Sequence, residues 1–143
     1  MLPGLGPAAA AEPESLALVG LRTLSRDESD LIRRRSVLAL TMEDVDLVGI
    51  REAMRQALHR VTALTDGFVM VLDASVGRGM EPDDLEAGLS YRECSTAMEL
   101  VAASGGLKAI ALTGFDADAR PGPLRAAYGY LSSVLGKRIL RRD

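Results

Sequence analysis

The stretch Gly67–Gly79, GFVMVLDASVGRG, decides the fold. Phe68, Val69, Met70, Val71 and Leu72 form an uninterrupted apolar run, Asp73 ends it, and Gly77 and Gly79 follow. A short continuous apolar run backed by turn signals reads as a strand buried on both faces. A carboxylate at the C-terminal end of such a strand stands where open α/β sheets bind ligands. Asp73 is therefore the first candidate functional residue.

Upstream, Thr41-Met42-Glu43-Asp44 places a hydroxyl three residues ahead of a carboxylate, a capping box that opens a helix at about Met42. Leu47, Ile50, Met54, Ala57, Leu58, Val61 and Leu64 follow at helical spacing and predict one face packed on a sheet. Leu16–Leu24 and Ser36–Leu40 are strand candidates, with a short helix over Ser29–Arg35 between them. Downstream, Met80–Gly88 is a polar, acidic loop and Ser90-Tyr91-Arg92-Glu93 is a second capping box. Its helix ends at Ser104-Gly105-Gly106, Leu107–Thr113 is a fourth strand, and Asp116–Pro123 is a loop. Leu124–Leu140 is a last helix with Leu124, Ala127, Tyr128, Leu131, Leu135 and Ile139 as its buried stripe.

Strands alternating with helices predict βαβ units, right-handed crossovers and a parallel sheet. The expected fold is α/β, a three-layer α/β/α-type arrangement around about four parallel strands. Met1–Ser15, with three prolines, two glycines and four consecutive alanines, reads as a flexible leader; residues 16–143 form the domain.

Composition narrows the function classes. A chain of 143 residues, 48% hydrophobic, is long and apolar enough for one core. Seventeen basic against twenty acidic residues leave a net charge of −3, with no electrostatic footprint for nucleic acid. The clusters Arg33-Arg34-Arg35 and Lys137-Arg138 read as solvated ends of elements. A single cysteine, Cys94, excludes an intrachain disulfide and a multi-cysteine zinc site. No apolar stretch approaches the roughly 20 residues of a membrane helix, and the first residues lack a secretory signal pattern. The expectation is a cytoplasmic protein with no nucleic-acid or membrane partner. There is no G-x-G-x-x-G after a strand and no P-loop. His59, the only histidine, reads as an exposed helix residue. Cys94 falls in the first turn of a helix, where the dipole lowers a thiol pKa, but no histidine is near it in sequence.

The ordered set of these pieces resembles a known family. Val19-Gly20-Leu21-Arg22 follows an apolar run, and Met42-Glu43-Asp44-Val45-Asp46 opens a helix with Gly49-Ile50. An apolar strand then ends at Asp73, followed by Gly88-Leu89-Ser90-Tyr91-Arg92-Glu93 and a last strand and helix. From about Leu16 to about Leu140 this is similar to the C-terminal half of the ureohydrolases: arginase, agmatinase and formimidoylglutamase. The resemblance implies half of an arginase-like fold. It also implies a reaction in which two manganese ions at the strand ends activate water against a guanidino-type carbon.

The resemblance also implies what this chain has lost. The family's metal strand ends in Asp-x-Asp, which here reads Asp73-Ala74-Ser75. Asp73 matches the first metal ligand, and the neutral Ser75 replaces the second. Arg78-Gly79 stands where the family continues to Asp-Pro, and the family's substrate-binding glutamate maps to Gly114, with Asp116 displaced by two residues. The family's Gly-Gly-Asp-His and Asp-Ala-His-x-Asp motifs are absent. The strand carrying the latter lies, in the family, between strands retained here, so the sheet is expected to have a gap or to rearrange, with unprotected edges. Arg92 matches a stretch the family uses for subunit contacts, which implies a homo-oligomer or a partner supplying the N-terminal half.

Three functions follow as expectations. The chain is a degenerate, truncated ureohydrolase-like protein without hydrolytic activity of its own. Alternatively it is a manganese-dependent half that completes its site with another polypeptide. Alternatively it is a cation or small-molecule binding module using Asp73 and the acidic residues Glu81, Asp83, Asp84, Asp116 and Asp118.

Overall fold

The computed structural model describes residues 12–77, 88–114 and 121–137, with side chains left aside at 121–124. Among these residues there are four strands: β1 (Ala17–Leu21), β2 (Leu38–Thr41), β3 (Phe68–Asp73) and β4 (Leu107–Thr113). Five helices accompany them: α1 (Arg26–Arg35), α2 (Met42–Val48), α3 (Ile50–Thr62), α4 (Tyr91–Ser104) and α5 (Pro121–Val134). Both strand pairings are parallel, as the alternation of strands and helices predicts. The strands do not form one sheet, however. They form two separate pairs, β1–β2 and β3–β4.

Local chemistry explains the helix starts. Ser25, Thr41 and Ser90 each close a reciprocal capping box with the residue three positions on, Glu28, Asp44 and Glu93. Two orphan donors are satisfied at each start. The Ser25 box begins α1 at Arg26, three residues ahead of the expected Ser29. Gly105, left-handed at φ 69°, closes α4.

The expected single helix from Met42 to Leu64 is two helices. Gly49, at φ 79°, ends α2 and starts α3. A left-handed glycine breaks the phase of the apolar stripe. Ile50, Met54 and Ala57 are buried as expected, while Leu47 before the break is 83% exposed and Leu64 beyond the last turn is also exposed. In α5 the stripe is likewise corrected. Ala127, Tyr130 and Val134 are buried, and Tyr128 and Leu135 face outward. Leu124 and Ile139 lie outside the described side chains.

The core is aliphatic and centred on α4. Cys94, Ala97, Met98 and Val101 pack from it against Met54 and Ala57 of α3 and Tyr130 and Val134 of α5. Leu72 and Leu40 reach this core from the strands. Side chains alternate along β3, with Phe68, Met70 and Leu72 inward and Val69 and Val71 outward. Val69 and Val71 are each 64% exposed, so among the described residues only one face of β3 carries a helical layer. Residues Pro13–Ser15 form a single 3-10 turn beside α3; residues 1–11 of the leader lie outside the described residues. No helix among the described residues is long and apolar enough to cross a membrane.

Between β1 and β3 lies a cavity of about 670 Å³. The flanking strands form its walls, and α3 and α4 contribute Met54, Ala57, Ala97 and Met98. It separates the two strand pairs. At one end Val76 and Leu89 close over Gly20, which has φ 82° and no room for a side chain: a Cβ there would stand 2.8 Å from Val76 Cγ2.

Candidate functional site

Asp73 is the last residue of β3 and lies in register with Thr113, the last residue of β4. The parallel pairing thus brings two polar side chains together at the C-terminal edge. Asp73 Oδ2 accepts a hydrogen bond from Thr113 Oγ1 at 2.7 Å, and Asp73 Oδ1 accepts one from the Ser75 backbone N–H at 3.0 Å. Bonds from Ser75 and Thr113 favour the charged form and hold the Asp73 carboxyl below its ordinary value. Asp73 is exposed, so this carboxylate faces outward from the strand ends.

Ser75 is not a strand residue. The chain leaves β3 at Asp73 and makes a 3-10 turn over Ala74–Val76, with Asp73 as its cap. The i, i+2 geometry that would aim two strand side chains at one point does not extend to Ser75. Its backbone N–H is the group that serves Asp73. Gly114 lies alongside at φ 72°, where an added Cβ would stand 3.5 Å from Asp73 Oδ1. The two positions expected to have lost their acids therefore do flank Asp73, one as a turn residue and one as a left-handed glycine.

Thr113 is the residue that sequence reading missed. Its only sequence signal is that it ends the strand paired with β3.

The other candidates are dispersed. His59 is exposed near the end of α3, whose C-terminus feeds the start of β3, at the opposite end of that strand from Asp73. Cys94 is 1% exposed, and burial pushes its thiol up, with a hydrogen bond to Tyr130 opposing. The helix-dipole expectation for Cys94 is thus overturned by desolvation. Tyr130 is itself raised by burial and by its Cys94 neighbour, and its ring stacks on Tyr91 with centroids 5.3 Å apart. Arg92 is exposed in the first turn of α4. Glu81, Asp83, Asp84, Asp116 and Asp118 lie outside the described residues.

The donor set at the end of β3 does not fit a pair of divalent ions. A hard dication takes six or more oxygens, several of them anionic. Asp73 is the single carboxylate between Thr113 and Ser75, and both of its oxygens are engaged. Among the described residues no three His, Cys, Asp or Glu side chains cluster as a metal site would require.

The strand order, the capped helix at Ser90 and the carboxylate ending β3 together match a known architecture. The model of the arginase family matches residues 7–116. The chain belongs to the arginase family. An arginase of Brevibacillus brevis is 29% identical over 136 residues, 89% of this chain and 45% of that enzyme. An arginase of Bacillus caldovelox is 33% identical over 98 residues, 64% of this chain and 32% of that enzyme. The solved structure of the Bacillus caldovelox arginase superposes with a TM-score of 0.83 at 26% identity, covering 90% of this chain and 45% of that one. A formimidoylglutamase of Bacillus subtilis shares the fold, with a TM-score of 0.78 at 23% identity. The chain spans about half the length of the relatives it matches. The arginase family is generally manganese-dependent.

Proposed function

We propose that these 143 residues are an arginase-family scaffold that does not hydrolyse guanidino compounds by itself. The observation that carries this reading is the partnering of Asp73. The one retained acid is held in its charged form by a hydroxyl and a backbone N–H that engage both of its oxygens, with a turn serine and a left-handed glycine where the resemblance places further acids. With one carboxylate and no imidazole at the strand ends, the described residues offer neither bridging anions nor neutral nitrogen ligands. Asp73 instead acts as a structural clasp that joins β3, β4 and the Ala74–Val76 turn.

The test is direct. Purified chain is incubated with manganese and either arginine or agmatine, and urea is measured. The expected result is no urea above the metal-only background. Sustained release that Asp73→Ala abolishes overturns the reading.

A second reading is favoured by the cavity between β1 and β3. The chain is one part of a two-part assembly, and another polypeptide supplies the remaining structure and, with it, the missing ligands. Urea release on mixing the chain with such a partner, with each alone inert, supports it; partners that co-purify yet stay inert leave the scaffold role without the catalytic one.

A further inference from the structure

We propose that the recess between the end of α1, the start of β2 and Arg60 of α3 binds a phosphomonoester carried on a small apolar body. The recess has a volume of about 400 Å³ and lies at the N-terminal end of β2. Asp73 stands at the other edge, where the strands end. The recess shares no lining residue with the cavity between β1 and β3.

Two arginines line it, Arg33 from the last turn of α1 and Arg60 from the last turn of α3. No carboxylate is among the lining residues. The basic run at the end of α1 is therefore divided: Arg34 pairs with Asp30 at 3.7 Å, Arg35 does not line the recess, and Arg33 does. Nη2 of Arg60 donates to the Ser36 carbonyl. Nε of the same guanidinium is buried and, among the described residues, has no hydrogen-bond partner. A buried donor on a charged group costs more when left unpaired than a typical hydrogen bond contributes. An oxyanion in the recess supplies the acceptor that the chain does not.

Ser36 adds a hydroxyl to the lining. It follows α1 in the left-handed conformation, at φ 54° and ψ 30°. Glycine ordinarily takes such a position, because a side chain there is strained. Ser36 is the only residue other than glycine with positive φ among the described residues. The same turn lowers the repulsion that a helix C-terminus exerts on an anion. Ser36 N–H donates to Arg33 O at 3.4 Å, Val37 N–H donates to Ile32 O at 3.3 Å, and Ser36 O accepts from Arg60. These carbonyls are already engaged by donors.

Charge and wall composition select the ligand. Two guanidinium groups match a dianion, and each offers a planar fork suited to phosphate oxygens. A phosphomonoester is close to dianionic at neutral pH, whereas a carboxylate carries a single charge. Ile32, Val37 and Ala39 contribute apolar wall. The volume falls within the range of small-molecule sites and leaves room for the organic group of the ester against that wall.

The experiment titrates phenyl phosphate into the full 143-residue chain by calorimetry, at about pH 8 and low salt, with inorganic phosphate and benzoate as comparison probes. Phenyl phosphate should bind saturably with a Kd of about 1 mM or tighter. Arg33→Gln and Arg60→Lys should each weaken it about tenfold or more. Arg35→Gln, at the same helix end but outside the recess, should weaken it less than about twofold. Arg33 is exposed, so Arg33→Gln leaves the fold in place and keeps the test decisive even where a change at Arg60 disturbs packing. On binding, the Arg60 Nε–H resonance should move downfield as it gains an acceptor. Failure to saturate by about 20 mM overturns the site. Equal weakening by Arg33→Gln and Arg35→Gln also overturns it, since that marks diffuse attraction to a basic helix end. Benzoate binding as tightly as phenyl phosphate overturns the choice of a dianion, and inorganic phosphate binding as tightly overturns the apolar contact.

Discussion

Thr113 donates its hydroxyl to the Asp73 carboxylate at 2.7 Å, across the in-register ends of β4 and β3. This bond and the one from Ser75 favour the ionised carboxylate, so the folded pKa of Asp73 lies below its ordinary value. A depressed folded pKa contributes stability above the unfolded value of about 3.9, and that contribution is lost as pH falls through the folded value. Glu28, Asp44 and Glu52 are depressed in the same sense, Glu52 to about 2 beside Arg55 and Gln56, so Asp73 must be followed residue by residue. In Thr113→Val the Asp73 carboxyl should titrate at higher pH than in the parent, read from its side-chain carbon resonance. An identical titration curve would show that the hydroxyl does nothing for the charge.

The corrected helix phase makes a second prediction. Met98 is 1% exposed, between α3 and α5, so Met98→Ala leaves a cavity at the centre of the core. It should cost about 2–5 kcal/mol, read from the urea midpoint at constant slope. Leu47 was expected on the buried stripe and is 83% exposed. Leu47→Lys should therefore change stability by no more than about 0.5 kcal/mol. A large loss at Leu47 would place it back in a buried contact.

The sequence was legible where structure is local. Thr41 with Asp44, and Ser90 with Glu93, are three residues apart, and a capping box needs nothing from the rest of the chain. The run Phe68–Leu72 was legible as a strand because it is short, apolar and bounded by Gly67 and Asp73, while its burial on both faces was not, since Val69 and Val71 are exposed. Gly49 misled because apolar spacing continues through it, while its left-handed conformation resets the phase. The Asp73–Thr113 bond was invisible because it spans 40 positions and depends on register between strands. The gap between β1 and β3 followed only from the family resemblance, since neither strand's own residues announce a missing neighbour.

The capping boxes yield a contrast. Ser90 caps α4, which carries Cys94, Ala97, Met98 and Val101 into the core. Ser90→Ala should cost about 1 kcal/mol of global stability. Ser25 caps α1 through an equivalent box, but α1 buries no residue. Ser25→Ala should leave the global midpoint in place and show only faster amide exchange at Asp27 and Glu28, the first turn fraying by itself. Equal global losses at both caps would mean that α1 is tied to the core after all.

Arg92 offers the last prediction. It is an exposed cation in the first turn of α4, where the positive end of the helix dipole disfavours it. Its neighbour Tyr91 is half exposed and stacks on Tyr130 of the same chain. An exposed arginine that weakens its own helix fits a residue serving contact between copies. Arg92→Glu should then act in two opposite directions. As a monomer the variant gains about 0.3–1 kcal/mol, because an acid suits a helix start. In sedimentation velocity the parent should self-associate, and the variant should shift toward the monomer at the same concentration. A variant that is stabilised but sediments like the parent would confine Arg92 to its own helix.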